Sequence, residues 1–225
     1  MRNLLINNCQ AILYVLTCAE LFVAVLLLID FIKKKQIIPL LMFLIGVGLC
    51  YDAAVIALGN VIPEDILPAL SRFRFVSHGL LVPLNIAICG YALGWKDLKQ
   101  RIVWGVTLVI CALGCASGIG RVLELKEFAG VIRYVAADTT PVWADKINRM
   151  LSFGTVIPVI AAGVFVWKKQ KTPSFFLAGL LMFVFAALGP ATGNADLIFL
   201  ISMFGELFML FFFWLYSFKN IKNEK

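Results

Sequence analysis

Seven runs of roughly 20 predominantly apolar residues, at 10–32, 37–59, 75–94, 102–122, 149–167, 174–192 and 197–218, take up most of the 225-residue chain. About 20 residues of helix at 1.5 Å each cross the hydrocarbon core of a bilayer, where every backbone N–H and C=O must be bonded within its own segment. The runs are therefore expected to be helices in a membrane. The expected fold is all-α, a polytopic membrane bundle of seven transmembrane helices making a single domain over residues 1–225. With 62% hydrophobic and 15% charged residues, little chain is left for a soluble unit. No signal peptide is expected, because residues 1–8 are polar and the following run is too long and lacks a small-residue cleavage site.

The connections alternate in charge. Lys33, Lys34 and Lys35; Lys96, Lys99 and Arg101; Lys168, Lys169 and Lys171; and Lys219, Lys222 and Lys225 all fall on one side. By the positive-inside rule that side is cytoplasmic, which places the N-terminus outside and the C-terminus in the cytoplasm. Trp95, Trp104, Trp167 and Trp214 lie near the same boundary, where interfacial tryptophans belong. The net charge of +7 is thus topogenic, and nucleic acid is excluded as a partner. A multi-pass protein of a cell membrane follows, with lysine-rich inner loops that suit a bacterial inner membrane. The six cysteines are scattered through apolar segments. Cys111 and Cys115 share a helix face but have no histidine or acidic neighbour, so they read as packing residues.

The outer connections are richer. Residues 59–71 carry Pro63, Glu64, Asp65 and Pro68. Residues 123–148 form the longest loop, in which Phe128, Tyr134 and Trp143 favour partial packing as a short interfacial helix. In the fourth span Gly114, Ala116, Ser117, Gly118 and Gly120 allow close helix approach. Pro83 and Pro158 each follow a glycine, Gly79 or Gly154, by four residues, so both helices should kink. Arg74, Ser77, Gly79 and Pro83 also match Arg149, Ser152, Gly154 and Pro158 in spacing. This reads as a parallel internal repeat of spans two and three in spans four and five, with Arg74 and Arg149 at similar depth.

Glu20, Asp52, His78 and Glu206 lie inside apolar spans. A charge at mid-bilayer costs at least about 2.5 kcal/mol and persists only with a partner or a water-filled cavity, so each is a candidate functional group. Glu20 and Glu206 fall near the midplane, Asp52 in the outer half, and His78 about one turn below the outer surface. Arg74 and His78 are four apart on one helix face, with Ser77 adjacent and Asn85 deeper along the same stripe. Tyr51 and Asp52 approach that face if the second and third helices pair as a hairpin. Arg121, Glu124, Arg149, Asn194 and Asp196 complete an outward rim, and Arg72 and Ser117 are further candidate ligand-binding residues. The competing reading for arginines at helix ends is snorkelling to headgroups, and for Asp52 with Arg74 an ion pair that fixes register.

The chemistry these residues point to is an outward-facing polar pocket that binds a small anionic or amphiphilic, lipid-like ligand, with membrane lipid as the natural partner. One alternative is a lipid-active acid/base hydrolase or transferase at the outer leaflet, with His78 and Asp52 catalytic and Ser77 or Ser117 supplying a hydroxyl. Another is a proton-coupled transporter using Glu20 and Glu206. No cofactor is expected. Retinal is excluded because Glu206 stands where the Schiff-base lysine would be, and no ligand pair has the spacing that argues for a metal.

Overall fold

The computed structural model describes residues 2–220. Lys222, Glu224 and Lys225 of the last basic segment lie outside the described residues, as does the side chain of Asp196. The chain runs α1 (Arg2–Asn7), α2 (Cys9–Lys34), α3 (Ile37–Ala57), α4 (Leu67–Leu81), α5 (Leu84–Ala92), α6 (Asp97–Gly120), β1 (Leu123–Phe128), β2 (Val131–Ala136), α7 (Val142–Gly154), α8 (Val156–Gln170), α9 (Ser174–Ala191) and α10 (Ala195–Asn220). Six segments are long and apolar enough to cross a membrane: α2, α3, α4 with α5, α6, α7 with α8, and α10. The protein is a multi-pass membrane protein. In α9 the apolar stretch Ser174–Gly189 is shorter.

The helices pack in chain order around a ring. α2 lies on α3, α3 on α4, α4 on α6 and α6 on α7; α8, α9 and α10 follow, and α10 closes against α2 and α3, while α5 lies between α3, α6 and α8. Val15, Phe22, Leu108, Val109 and Phe165 are exposed, which suits a surface covered by lipid rather than water. At the basic end the core is dense: Leu27, Met42, Ile45, Ile88, Val166 and Phe175 are buried with Phe213 and Tyr216. Phe175 stacks on Phe213 at 5.8 Å and meets Tyr216 at a tilt at 5.1 Å. There Lys34 pairs with Asp30 at 3.3 Å and the Ser217 hydroxyl donates to Asp30 at 2.8 Å, tying the ends of α2 and α10 together. A second cluster, Leu13, Leu16, Ala53, Ile56, Val131, Phe199 and Met203, closes the opposite end.

The small residues of α6 have a specific neighbour. A Cβ on Gly79 would collide with the backbone of Gly114, one on Gly114 with that of Gly79, and one on Gly118 with the Phe75 carbonyl. α4 and α6 are therefore in backbone contact, as small-residue faces permit. This contact brings the polar face of α4 against the bundle interior.

Both prolines break their helices, but at different places. In the first case α4 ends at Leu81 and α5 starts at Leu84, with Asn85 and Ile86 bonding three residues back. In the second the break falls at Thr155, three residues before Pro158. The third span also begins earlier than its hydropathy indicates, at Leu67 rather than residue 75, so Ser71 to Arg74 are helical.

The longest loop is corrected more deeply. The expected short interfacial helix is absent from residues 123–136, which instead form an antiparallel hairpin pairing Leu123 with Ala136 and Phe128 with Val131. Its two-residue turn, Ala129 and Gly130, has φ of 52° and 74°. Two successive positive φ values are what a type I′ hairpin turn demands, and its twist matches the strands. Helix begins only at Val142.

Candidate functional site

Several elements bring polar side chains to one cavity of about 350 Å³. α3 supplies Asp52; α4 supplies Arg74 and His78 from successive turns of one face; α10 supplies Glu206; and β2 lays Arg133 and Val135 along the wall. Arg121 enters from the end of α6, with Asn148 and Ser152 from α7, and Asn85 lies deeper.

On the lining of this cavity, ligand atoms of Asp52, His78 and Glu206 all lie within 4.8 Å of one another. Arg74, only 4% exposed, places Nε 3.3 Å from Asp52 Oδ1. Its Nη2 donates to the Tyr134 carbonyl at 2.9 Å, so one guanidinium joins the carboxylate to the hairpin. The guanidinium groups of Arg74 and Arg121 each sit 4.5 Å from the centroid of the Phe75 ring. Arg133 stacks on Phe128 at 4.7 Å and Phe199 at 3.8 Å. Aromatic faces thus hold all three guanidinium groups. Among the described residues, the Arg121 guanidinium makes no hydrogen bond or ion pair.

The residues expected at the site divide into two groups. Asp52, Arg74, His78, Asn85, Ser117, Arg121 and Glu206 line the cavity. Glu20, Tyr51, Arg72, Ser77 and Arg149 are not among its walls. Tyr51 donates to the Leu70 carbonyl at 3.1 Å and meets Phe73 edge-on. Arg72 donates to the Ile119 carbonyl at 2.9 Å and to that of Arg121, and so satisfies acceptors at the C-terminus of α6. The Ser77 hydroxyl turns back to the Arg74 carbonyl at 3.0 Å, and that of Ser117 donates to Ala144 O at 2.8 Å. Arg149 has a 77% exposed side chain and pairs with Asp145 at 2.9 Å. Glu20 is fully buried, with no hydrogen-bond partner for either carboxyl oxygen.

Sequence reasoning missed Arg133, which sits in the loop read as helical. The signal was there: two strand-forming runs, Leu123–Phe128 and Val131–Ala136, separated by two residues ending in glycine. Period two then turns Val131, Arg133 and Val135 to one side, and Val131 is fully buried.

No protein-family model matches the chain, and no curated protein matches it in sequence.

Proposed function

We propose that this membrane protein binds a small anionic or amphiphilic ligand, such as a lipid headgroup, in the cavity beneath the hairpin. The observation that carries this reading is Arg121: a half-buried guanidinium on the cavity wall, held over an aromatic ring, with its donors left unengaged by any carboxylate. Guanidinium forks match carboxylate and phosphate oxygens bidentately. Arg133 also lines the cavity, and Arg74 there is matched to Asp52. Val82, Val156 and Met203 provide apolar lining for a chain or ring attached to the anion.

The accompanying topology is seven crossings with the N-terminus outside, the C-terminus in the cytoplasm and the cavity opening outward, in a bacterial inner membrane. Two features support the seventh crossing. α9 begins where Phe175 meets Phe213 and Tyr216, and ends where Gly189 packs on Ile198, so it runs the depth of the bundle beside α10. The Lys34 contact to Ser217 puts the C-terminal ends of α2 and α10 at one face, the lysine-rich one.

The convergence of Asp52, His78 and Glu206 favours a second reading, a hydrolase or transferase acting on the bound ligand. Its nucleophile would be an activated water, since the Ser77 and Ser117 hydroxyls both point to backbone carbonyls. Transport fits less well, because the aromatic core around Phe175 and Phe213 fills the basic end.

The test is native mass spectrometry with lipid extraction on wild type, Arg121→Ala and Arg149→Ala. A co-purifying anionic molecule lost in Arg121→Ala and kept in Arg149→Ala is the expected result. Equal retention in all three, or no specific molecule in wild type, sinks the proposal.

A further inference from the structure

We infer that Asp52, His78 and Glu206 form a three-ligand site for a divalent transition-class cation, zinc matching best, with its remaining coordination position open to the cavity. The inference deepens the reading of this cavity as a binding site and rests on it for the role of the open position.

The donor set is the first reason. Two carboxylates and one imidazole form a mixed oxygen and nitrogen set that suits zinc and its first-row neighbours, whereas calcium and magnesium prefer oxygen alone and more ligands. Three protein ligands with one position left for water or substrate is the arrangement of catalytic rather than structural zinc sites.

Geometry is the second. Metal–ligand distances of about 2.0–2.2 Å put neighbouring donors about 3.3 Å apart around a tetrahedral ion. The three donors stand within 4.8 Å of one another, so the gap to that spacing is about 1.5 Å at most. They come from α3, α4 and α10, and these helices are fixed to one another, α3 against α4 and against α10. His78 shares no helix with either acid, so helical periodicity alone does not bring the three together.

The third reason is independent of the clustering. Glu206 is 6% exposed and its Oε2 has no hydrogen-bond partner. A carboxylate oxygen buried without a donor is expensive to maintain, and a cation bound there removes the expense. The groups around the cluster are compatible with this. Arg74 faces Asp52 Oδ1, so it can orient that carboxylate while the second oxygen binds the ion, in the way outer-shell partners hold ligands at metal centres. Asn85, fully buried, has a second unpartnered oxygen, Oδ1, on the lining of the same cavity. With the ion in place the open position and Arg121 present two positive centres to one ligand. An anionic group such as a phosphate or carboxylate, coordinated by the metal and forked by the guanidinium, is the ligand class this selects.

The test uses the full-length protein in detergent, delipidated, stripped with a strong chelator and reloaded with zinc alone. Metal content after desalting is compared for wild type, Glu206→Gln, His78→Gln and Arg149→Gln, the last outside the cavity walls. One zinc per chain is expected in wild type and Arg149→Gln. In the two ligand variants, affinity is expected to fall by more than the about 10–100-fold that loss of an outer-shell partner costs. No stoichiometric zinc in wild type, or retention undiminished in both ligand variants, overturns the inference. Should the variants fail to fold, cobalt-loaded wild type decides: intense visible bands of a four- or five-coordinate ion support the site, and the weak spectrum of a six-coordinate, water-bound ion overturns it. The two proposals fail separately. An anion retained by chelated protein that takes up no zinc leaves the pocket standing and removes the metal, whereas zinc bound by a protein whose ligand ignores Arg121→Ala does the reverse.

Discussion

Arg74 shows how much of the site depends on a single side chain. Its guanidinium is buried, faces Asp52 at 3.3 Å, donates to the hairpin through Tyr134 O and lies over Phe75. Breaking a buried pair by removing one partner costs about 3–5 kcal/mol, because the other charge is left uncompensated. Arg74→Met should therefore lower the thermal unfolding temperature in detergent sharply, and adding Asp52→Asn should restore part of the loss. A coupling of about 1–3 kcal/mol is expected from residues in one network, whereas simple additivity would show that the pair is not energetically joined. Arg74→Lys should not rescue fully, since an ammonium keeps the charge but loses the fork that reaches both Asp52 and the carbonyl. The grouping of Arg74 with His78 and Asp52 was legible in the sequence, because a four-residue spacing fixes a helix face and a short loop fixes its neighbour. The role of Arg72 was not, since its partners are backbone carbonyls at the end of another helix, and no side-chain pattern encodes them.

Between helices, the repeated glycine and proline pattern separates what sequence likeness preserves from what packing decides. Gly79 and Gly154 occupy matching places, yet a Cβ on Gly79 would strike the Gly114 backbone, while one on Gly154 meets nothing within 4 Å. The matching arginines diverge in the same way, Arg74 being buried and Arg149 exposed. Gly79→Ala should thus destabilise by about 1–3 kcal/mol through overpacking. Gly154→Ala should be neutral, or stabilise by up to about 1 kcal/mol through helix propensity. Thermal unfolding of the two variants side by side checks this, and equal losses would mean that the two helices share an environment after all. The hairpin makes a companion case. Ala129 holds φ of 52°, a region that costs a non-glycine residue free energy, so Ala129→Gly should stabilise the turn. Apolar length made the spans legible, but it says nothing about short strands outside the hydrocarbon. The two strand-forming runs around a two-residue turn were the local cue, whereas Phe128, Tyr134 and Trp143 favoured an interfacial helix, and of these only Trp143 lies in a helix, α7.

For the molecule as a whole, charge at one end and the cavity under the hairpin at the other make orientation the property that decides where a ligand comes from. In the topology proposed from the positive-inside rule, Lys33 to Lys35 and Lys168 to Lys171 are cytoplasmic and the hairpin end with Arg121 and Arg133 faces outward. Single cysteines at Thr139, exposed beyond β2, and at Lys169, exposed near the end of α8, distinguish the two ends. The six native cysteines are in no disulfide, and exposed Cys18 lies mid-helix in α2, where a charged maleimide from water has poor access; unsubstituted protein sets the background. In intact cells a membrane-impermeant maleimide should label Thr139→Cys at once and Lys169→Cys only after permeabilisation. The opposite pattern would turn the cavity toward the cytosol and make its ligand a cytoplasmic anion. Arg121, Arg133 and the Asp52, His78 and Glu206 cluster would keep their chemistry in either case, because it depends on their mutual geometry and not on which compartment feeds the cavity.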